Sequence, residues 1–269
     1  AGNIIGELEK HQIACVAITD HHVMNAVFIE DLRAESLKSQ SPVVIFPAME
    51  FRTGSGTGEN IHIIGIFSNS LTKEQIVHIE NELVTVLGIA VKRQSGKSEN
   101  EIYVDLNDAI ELIHKNHGLI SIHAGKKVNG IEEITNTLEV SQAIKEDIGK
   151  KIDIFEMGKF DDFKDYQTKV FPSIGITRPM VWASDNHNIV KYAETSNKFA
   201  WIKADPTFEG LKQIINEPDT RVFIGTEPPS LLQQKENPTR IIKQVEIHVR
   251  AGSQLATETW FENIIVPLN

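Results

Sequence analysis

Five apolar stretches of this chain each carry an acid or an imidazole at or near one end. Ala14-Cys15-Val16-Ala17-Ile18 runs into Thr19-Asp20-His21-His22. Val43 to Met49 ends in Glu50, and Ile61 to Phe67 holds His62 inside an otherwise apolar run. Gly118 to Ile122 leads into His123-Ala124-Gly125, and Met180 to Ser184 leads into Asp185-Asn186-His187. One such stretch means little. A helix-capping Asp followed by two solvated histidines would read like residues 20–22, and a lone His in a strand is more often a core residue. Core packing does not explain five, because buried charge needs a partner or a metal ion.

The residue types narrow the chemistry. They are Asp, Glu and His, with no Cys contribution. Mixed imidazole and carboxylate ligands suit zinc, manganese or iron rather than calcium or magnesium alone. Asp185 and His187 stand two residues apart, so on an extended segment both point the same way. Glu50 is placed to bridge two ions. Paired ions about 3.5–4 Å apart stabilise both oxygens of an in-line displacement at phosphorus. The chemistry indicated is metal-assisted phosphoester hydrolysis.

Groups of this kind need strands that deliver them at one end, with helices between. The β-branched apolar runs read as buried strands. Helical spacing covers Asn25 to Leu37, a segment from the cap Thr72 to about Leu87, a segment capped by Asn107-Asp108 and ended by His117-Gly118, and Thr207 to Asn216. Lys151 to Glu156 and Arg221 to Gly225 read as further strands, the latter as the last. This alternation predicts a barrel-like α/β architecture with function at the strand C-termini. Arg52 to Glu59 is glycine-rich but lacks the Lys-Ser/Thr of a phosphate-binding P-loop, so it reads as a hairpin connection. Val91 to Glu101 reads as an exposed loop. Arg52, Lys126 and Lys127 follow ligand positions closely enough to contact a phosphate; the plainer expectation for each is a solvated surface charge.

Composition fits an intracellular, cytoplasmic globular enzyme. Hydrophobic residues make up 41% of 269, and no apolar run reaches the length of a membrane span. The single Cys15 excludes a disulfide framework. A net charge of −10 argues against a general nucleic-acid-binding surface but not against a nucleic-acid substrate, since metals and local lysines offset charge at a site.

Taken in order, ITDHH (18–22), PAMEF (47–51), IHIIGIF (61–67), SIHAG (121–125) and ASDNH (183–187) resemble the successive motifs of the PHP (polymerase and histidinol phosphatase) superfamily, over roughly residues 10–225. The resemblance implies a distorted (β/α)7 barrel with two or three divalent ions (zinc, manganese or iron) at the strand C-termini. It implies His21, Glu50, His62, His123, Asp185 and His187 as metal ligands. It makes Asp20 a ligand or the partner of a ligating imidazole, and Glu50, Asp20 and Asp185 the carboxylates of catalysis. Members of the family open with a strand ending in His-x-His, and none precedes Ile18; residues 1–11 read instead as the helix leading into the second strand. The expectation is a truncated barrel lacking its first strand, which holds fewer metals than the family's set and hydrolyses poorly.

Residues 1–226 are expected to form the barrel, 227–239 a linker and 240–269 a β-hairpin-like extension. The extension resembles the opening strands of the ABC/SMC-like ATPase in PHP-ATPase (TrlF-like) proteins. That resemblance implies an ATPase domain as partner, a nucleic-acid or nucleotide phosphoester as substrate, no membrane, and a role in defence against phage. A small-molecule phosphatase of the histidinol-phosphate type, or a catalytically silent PHP module serving as a structural or interaction domain, are the alternatives.

Overall fold

The computed structural model describes residues 1–54, 60–125, 127, 129–133, 139–184, 186–192, 200–237, 244–248 and 263–267. The chain forms two compact units, residues 1–226 and 227–269. In the first, seven strands make one sheet: β1 (Cys15–Ile18), β2 (Val44–Gly54), β3 (Ile61–Ile66), β4 (Val104–Asp105), β5 (Leu119–Ala124), β6 (Ile154–Met157) and β7 (Met180–Val181). Their order is β1-β2-β3-β5-β6-β7, with β4 also on β2. The β1–β2, β2–β4, β5–β6 and β6–β7 pairs are parallel.

The strand–helix alternation is interrupted at β3, which runs antiparallel to both β2 and β5, as the hairpin connection read before it requires on the β2 side. The reason is length. Only residues 55–60 join β2 to β3, whereas a parallel crossover needs a dozen or more residues. Residues 55–59 of that hairpin connection lie outside the described residues. The sequence's last strand also falls elsewhere: β9 (Val222–Ile224) pairs antiparallel with β8 (Ala200–Ile202) in a separate two-stranded sheet.

Period-two alternation along the strands divides the core. Ile45, Met49 and Phe51 of β2, Ile61 and Ile63 of β3, Ile120 and Ile122 of β5, and Phe155 and Met157 of β6 face a large cluster. Leu8, Leu32, Ile76, Leu83, Ile113 and Ile148 complete it from the helices Gly2–Lys10, Ala26–Ser36, Lys73–Val86, Leu106–Lys115 and Glu139–Lys151. The opposite face of the same strands carries a smaller cluster of Phe46, Ala48, Ile64, Ile66, Leu119 and Ile154. One helix, Phe208–Asn216, supplies Phe208, Leu211 and Ile214 to it.

Helix starts follow their caps. The Asn25 side chain accepts from Phe28 N, and Thr72 and Gln75 form a reciprocal capping box. At the helix Leu106–Lys115 the cap is Asp105, which accepts from Asp108 N at 3.0 Å, and not the Asn107-Asp108 pair, which sits inside the first turn. The stretch read as a loop over Val91–Glu101 contains part of a helix, Ile89–Gln94, and a 3-10 turn, Glu99–Glu101. A two-pronged Arg93–Glu99 ion pair, at 2.7 and 3.1 Å, ties them together.

In the second unit, residues 229–236 of the segment read as a linker form a helix. Gln244–His248 pairs antiparallel with Asn263–Pro267 in the segment read as a β-hairpin-like extension; residues 238–243 and 249–262 lie outside the described residues. Among the described residues no helix is long and apolar enough to cross a membrane.

Candidate metal centre

The alternation that sends Phe46, Ile64 and Ile154 to the smaller cluster sends Glu50, Arg52, His62, His123 and Glu156 to the same face, farther along the same strands. The helix Phe208–Asn216 packs on the apolar end, so the polar residues occupy the other end. Because β3 is antiparallel, its second residue, His62, lies where its neighbours end. Arg52 and His62 are register partners across β2 and β3. Ile63 pairs with Ile122, which brings His62 beside His123, their ring centroids 5.4 Å apart.

His21 arrives by an extension of the β1–β2 pairing. Glu50 N donates to the Asp20 carbonyl at 3.1 Å, His22 N donates to the Glu50 carbonyl at 2.8 Å, and His21 bridges to Glu50. His22 then turns the chain with φ +58°, a left-handed value uncommon for a residue with a side chain. Its ring is fully buried and hydrogen-bonds through Nε2 to the Ile102 carbonyl at 3.1 Å, while its own carbonyl accepts from Arg93 Nη2. Burial pushes the His22 imidazole down to about 4, so it is neutral at pH 7. The residue beside His21 is thus an anchor of the backbone.

Ligand atoms of His21, Glu50 and His62 all lie within 4.8 Å of one another. His62 donates from Nδ1 to Glu50 Oε1 at 2.6 Å, and His21 Nε2 is 3.6 Å from the same oxygen. Burial alone would raise the Glu50 carboxyl. The His62 hydrogen bond and the charges of His21, His62 and His123 outweigh it, and the carboxyl sits below its ordinary range. The His21 imidazole is lowered, by burial first and by Arg52, His62 and His187, against the pull of Glu50. The result is an ionised carboxylate beside a neutral imidazole, the protonation states that metal ligands need. His21 Nε2 is also buried with no hydrogen-bond partner. Ligands about 2.0–2.2 Å from one ion lie up to roughly 4 Å apart, so this donor set fits a divalent transition metal.

The other sequence-predicted residues fall as follows. The His123 ring lies beside that of His62, tilted 41° to it, and its Nε2 is 4.0 Å from Glu156 Oε2. His187 is exposed, though close enough for its charge to bear on His21. Asp185 lies outside the described residues, as does Lys126. Asp20 is exposed; it engages β2 through its carbonyl, and among the described residues its carboxylate bonds to no imidazole. Lys127 is bound to Glu156 in a buried ion pair.

Sequence reasoning passed over two residues. Glu156 is a buried acid inside the apolar strand Ile154–Met157, the same signal that singled out His62. Asn129 gave no signal, because it lies in the turn after β5 that folds back on β3. Its carbonyl accepts from His62 N at 2.8 Å, and its Nδ2 donates to His62 Nε2 at 3.3 Å. Asn60 Nδ2 donates to its Oδ1 at 3.2 Å. The turn begins at Gly125, whose φ of +66° suits glycine; a Cβ there would meet Asp162 Cγ at 2.4 Å.

No family model and no curated protein matches the chain. Among solved structures it is similar to a two-domain protein from Bacteroides vulgatus ATCC 8482 that contains a predicted PHP-like metal-dependent phosphoesterase. The TM-score is 0.52 at 10% identity, over 99% of this chain and 78% of that one. At that identity the likeness concerns the fold: this chain has a PHP-like α/β fold.

Proposed function

We propose that this chain is a metal-dependent phosphoesterase module. The observation that carries the reading is the convergence of His21, Glu50 and His62, from three separate segments, onto one cluster in which the Glu50 carboxyl is held below its ordinary range and the His21 imidazole is lowered. The PHP-like fold supports it, and the solved relative's description as a predicted metal-dependent phosphoesterase agrees with it.

His21, Glu50, His62 and His123 would hold divalent ions, with Asp185 and His187 completing the set. Such ions supply Lewis-acid activation of a water and neutralise charge at the phosphoryl group. Glu50 is the anion at the centre of the cluster, held on β2 by main-chain bonds to residues 20 and 22 on one side and by His62 on the other. Asn129 lies against Nε2 of His62, so Nδ1, the nitrogen that faces Glu50, is the one that would take an ion, with the ring proton then on Nε2 toward the Asn129 amide. Glu156 places a carboxylate behind His123 and is itself balanced by Lys127. The extension to an ATPase-linked protein that acts on a nucleic acid or nucleotide rests on the tail's sequence resemblance to an ATPase start.

The test is a screen of the chelated protein, reloaded with Mn²⁺, Zn²⁺ or Fe²⁺, against phosphomonoesters, phosphodiesters, nucleotides and DNA. Metal-dependent turnover that is lost in both Glu50→Gln and His62→Ala is expected. Turnover indifferent to chelator and to both substitutions would reject the reading.

A further inference from the structure

Arg52 is not a metal ligand, yet it shares the site's face of the sheet. It stands two residues after Glu50 on β2, so both side chains leave on that face, and its partner across the ladder is His62. Its charge is one of those that disfavour the protonated His21. A cation beside His62 on the ladder, and close enough for its charge to bear on His21, adds nothing to metal affinity. Its presence calls for an anion.

Nothing among the described residues supplies one. Arg33, Arg93 and Arg221 each have a carboxylate oxygen at 2.7–2.8 Å. Arg52 has no carboxylate within 4.0 Å among the described residues. Its single hydrogen bond there runs from Nη1 to the Asn100 carbonyl at 3.4 Å, beyond the usual range, and its Nε is buried with no acceptor. A buried donor left unsatisfied is costly, and such groups gather where a ligand completes them. The nearby basic residue, Lys127, is committed to Glu156. The guanidinium presents a planar fork that matches two oxygens of a tetrahedral oxyanion.

We infer that Arg52 is the phosphate clamp of this site: it grips two non-bridging oxygens of the substrate's phosphoryl group and so fixes phosphorus over the His21–Glu50–His62 cluster. The inference rests on the metal-site reading and adds the residue that recognises the substrate. It also sets a requirement on the substrate class. The ligand must present at least two unesterified phosphoryl oxygens on the side facing β2, which phosphomonoesters and phosphodiesters do and phosphotriesters do not.

The experiment is calorimetry on the full chain, first with Mn²⁺ and then, on the loaded protein, with inorganic phosphate, for the wild type, R52Q and R52K. Both variants are expected to take up Mn²⁺ within about twofold of wild type, which also shows that they fold. Phosphate affinity should fall by about 10–100-fold in R52Q, the worth of a charge-assisted hydrogen-bonding pair. R52K, which keeps the charge and loses the fork, should fall between. With 4-nitrophenyl phosphate as substrate, KM should rise in the same order and by more than kcat falls. Unchanged phosphate affinity in R52Q with normal Mn²⁺ uptake would overturn the clamp and leave the metal reading standing. Loss of Mn²⁺ uptake in both variants would make Arg52 structural and likewise overturn the clamp. A wild type that takes up no Mn²⁺ would overturn the metal reading, and the clamp with it.

Discussion

One face of the sheet carries two layers built from the same strands. The lower layer, Phe46, Ala48, Ile64, Ile66, Leu119 and Ile154, is apolar and closed by the helix Phe208–Asn216. The upper layer, Glu50, Arg52, His62, His123 and Glu156, is polar, and its four imidazole and carboxylate carriers are only 3–7% exposed. Moving a few residues along a strand, at constant parity, converts a core into a candidate active site. The difference separates two tasks. Burying the lower layer gains hydrophobic free energy. Burying the upper layer costs desolvation, which an ion and a bound anion would offset. Stability and function should therefore respond to different substitutions on the same strand.

The largest expected effect is on metal binding. Glu50→Ala removes the only carboxylate of the three-residue cluster and should weaken divalent-ion binding by more than about 100-fold. Calorimetry reads it, and the metal-free protein should melt close to wild type. Ile154→Ala in the lower layer should do the reverse. It opens a cavity beside Leu119 and Phe208 in a residue only 2% exposed. The cost in denaturant melts should be about 2–5 kcal/mol, with the folded fraction binding metal normally. If these two substitutions gave the same profile, the separation of the layers would fail.

His22 sharpens the comparison with pH. Its folded value of about 4 lies below the ordinary 6.5, so the unfolded chain binds the extra proton first. The stability it contributes is full above about pH 6.5 and is lost as pH falls toward 4. The span corresponds to about 3 kcal/mol. His22→Leu should flatten that acid limb in urea melts between pH 4.5 and 7.5, while a limb of unchanged steepness would show that another group titrates. The smallest effect is at Asn129. Its loss in Asn129→Ala frees the His62 ring from the 3.3 Å amide contact and should weaken metal binding about tenfold. Global stability should change by no more than about 1 kcal/mol.

Much of this was legible in the chain because it is local. Alternation in Ile61-His62-Ile63-Ile64 shows a buried strand with one imidazole, and Thr72 with Gln75 is a capping box on sight. What was hidden is non-local. The hairpin read over Arg52–Glu59 makes β3 antiparallel, but only the ladder shows that His62 thereby reaches the site from the start of its strand rather than its end. Asn129 becomes a partner of His62 only because the turn from Gly125 folds back across β3. Glu156 was within reach of the parity argument and could have been found by applying it to every strand. The carboxylate expected to help at Asp20 is exposed, and its contribution to positioning Glu50 comes through its carbonyl.

The central claim is that the upper layer holds a divalent metal ion. Crystals soaked in Mn²⁺ or Zn²⁺ and measured at the metal's absorption edge test it without any assumption about substrate. The account predicts an anomalous peak bounded by His21 Nε2, a Glu50 carboxylate oxygen and a nitrogen of His62, at about 2.0–2.2 Å from each, and no peak there in Glu50→Ala crystals. A wild-type map with no peak among those three side chains at saturating metal would contradict it.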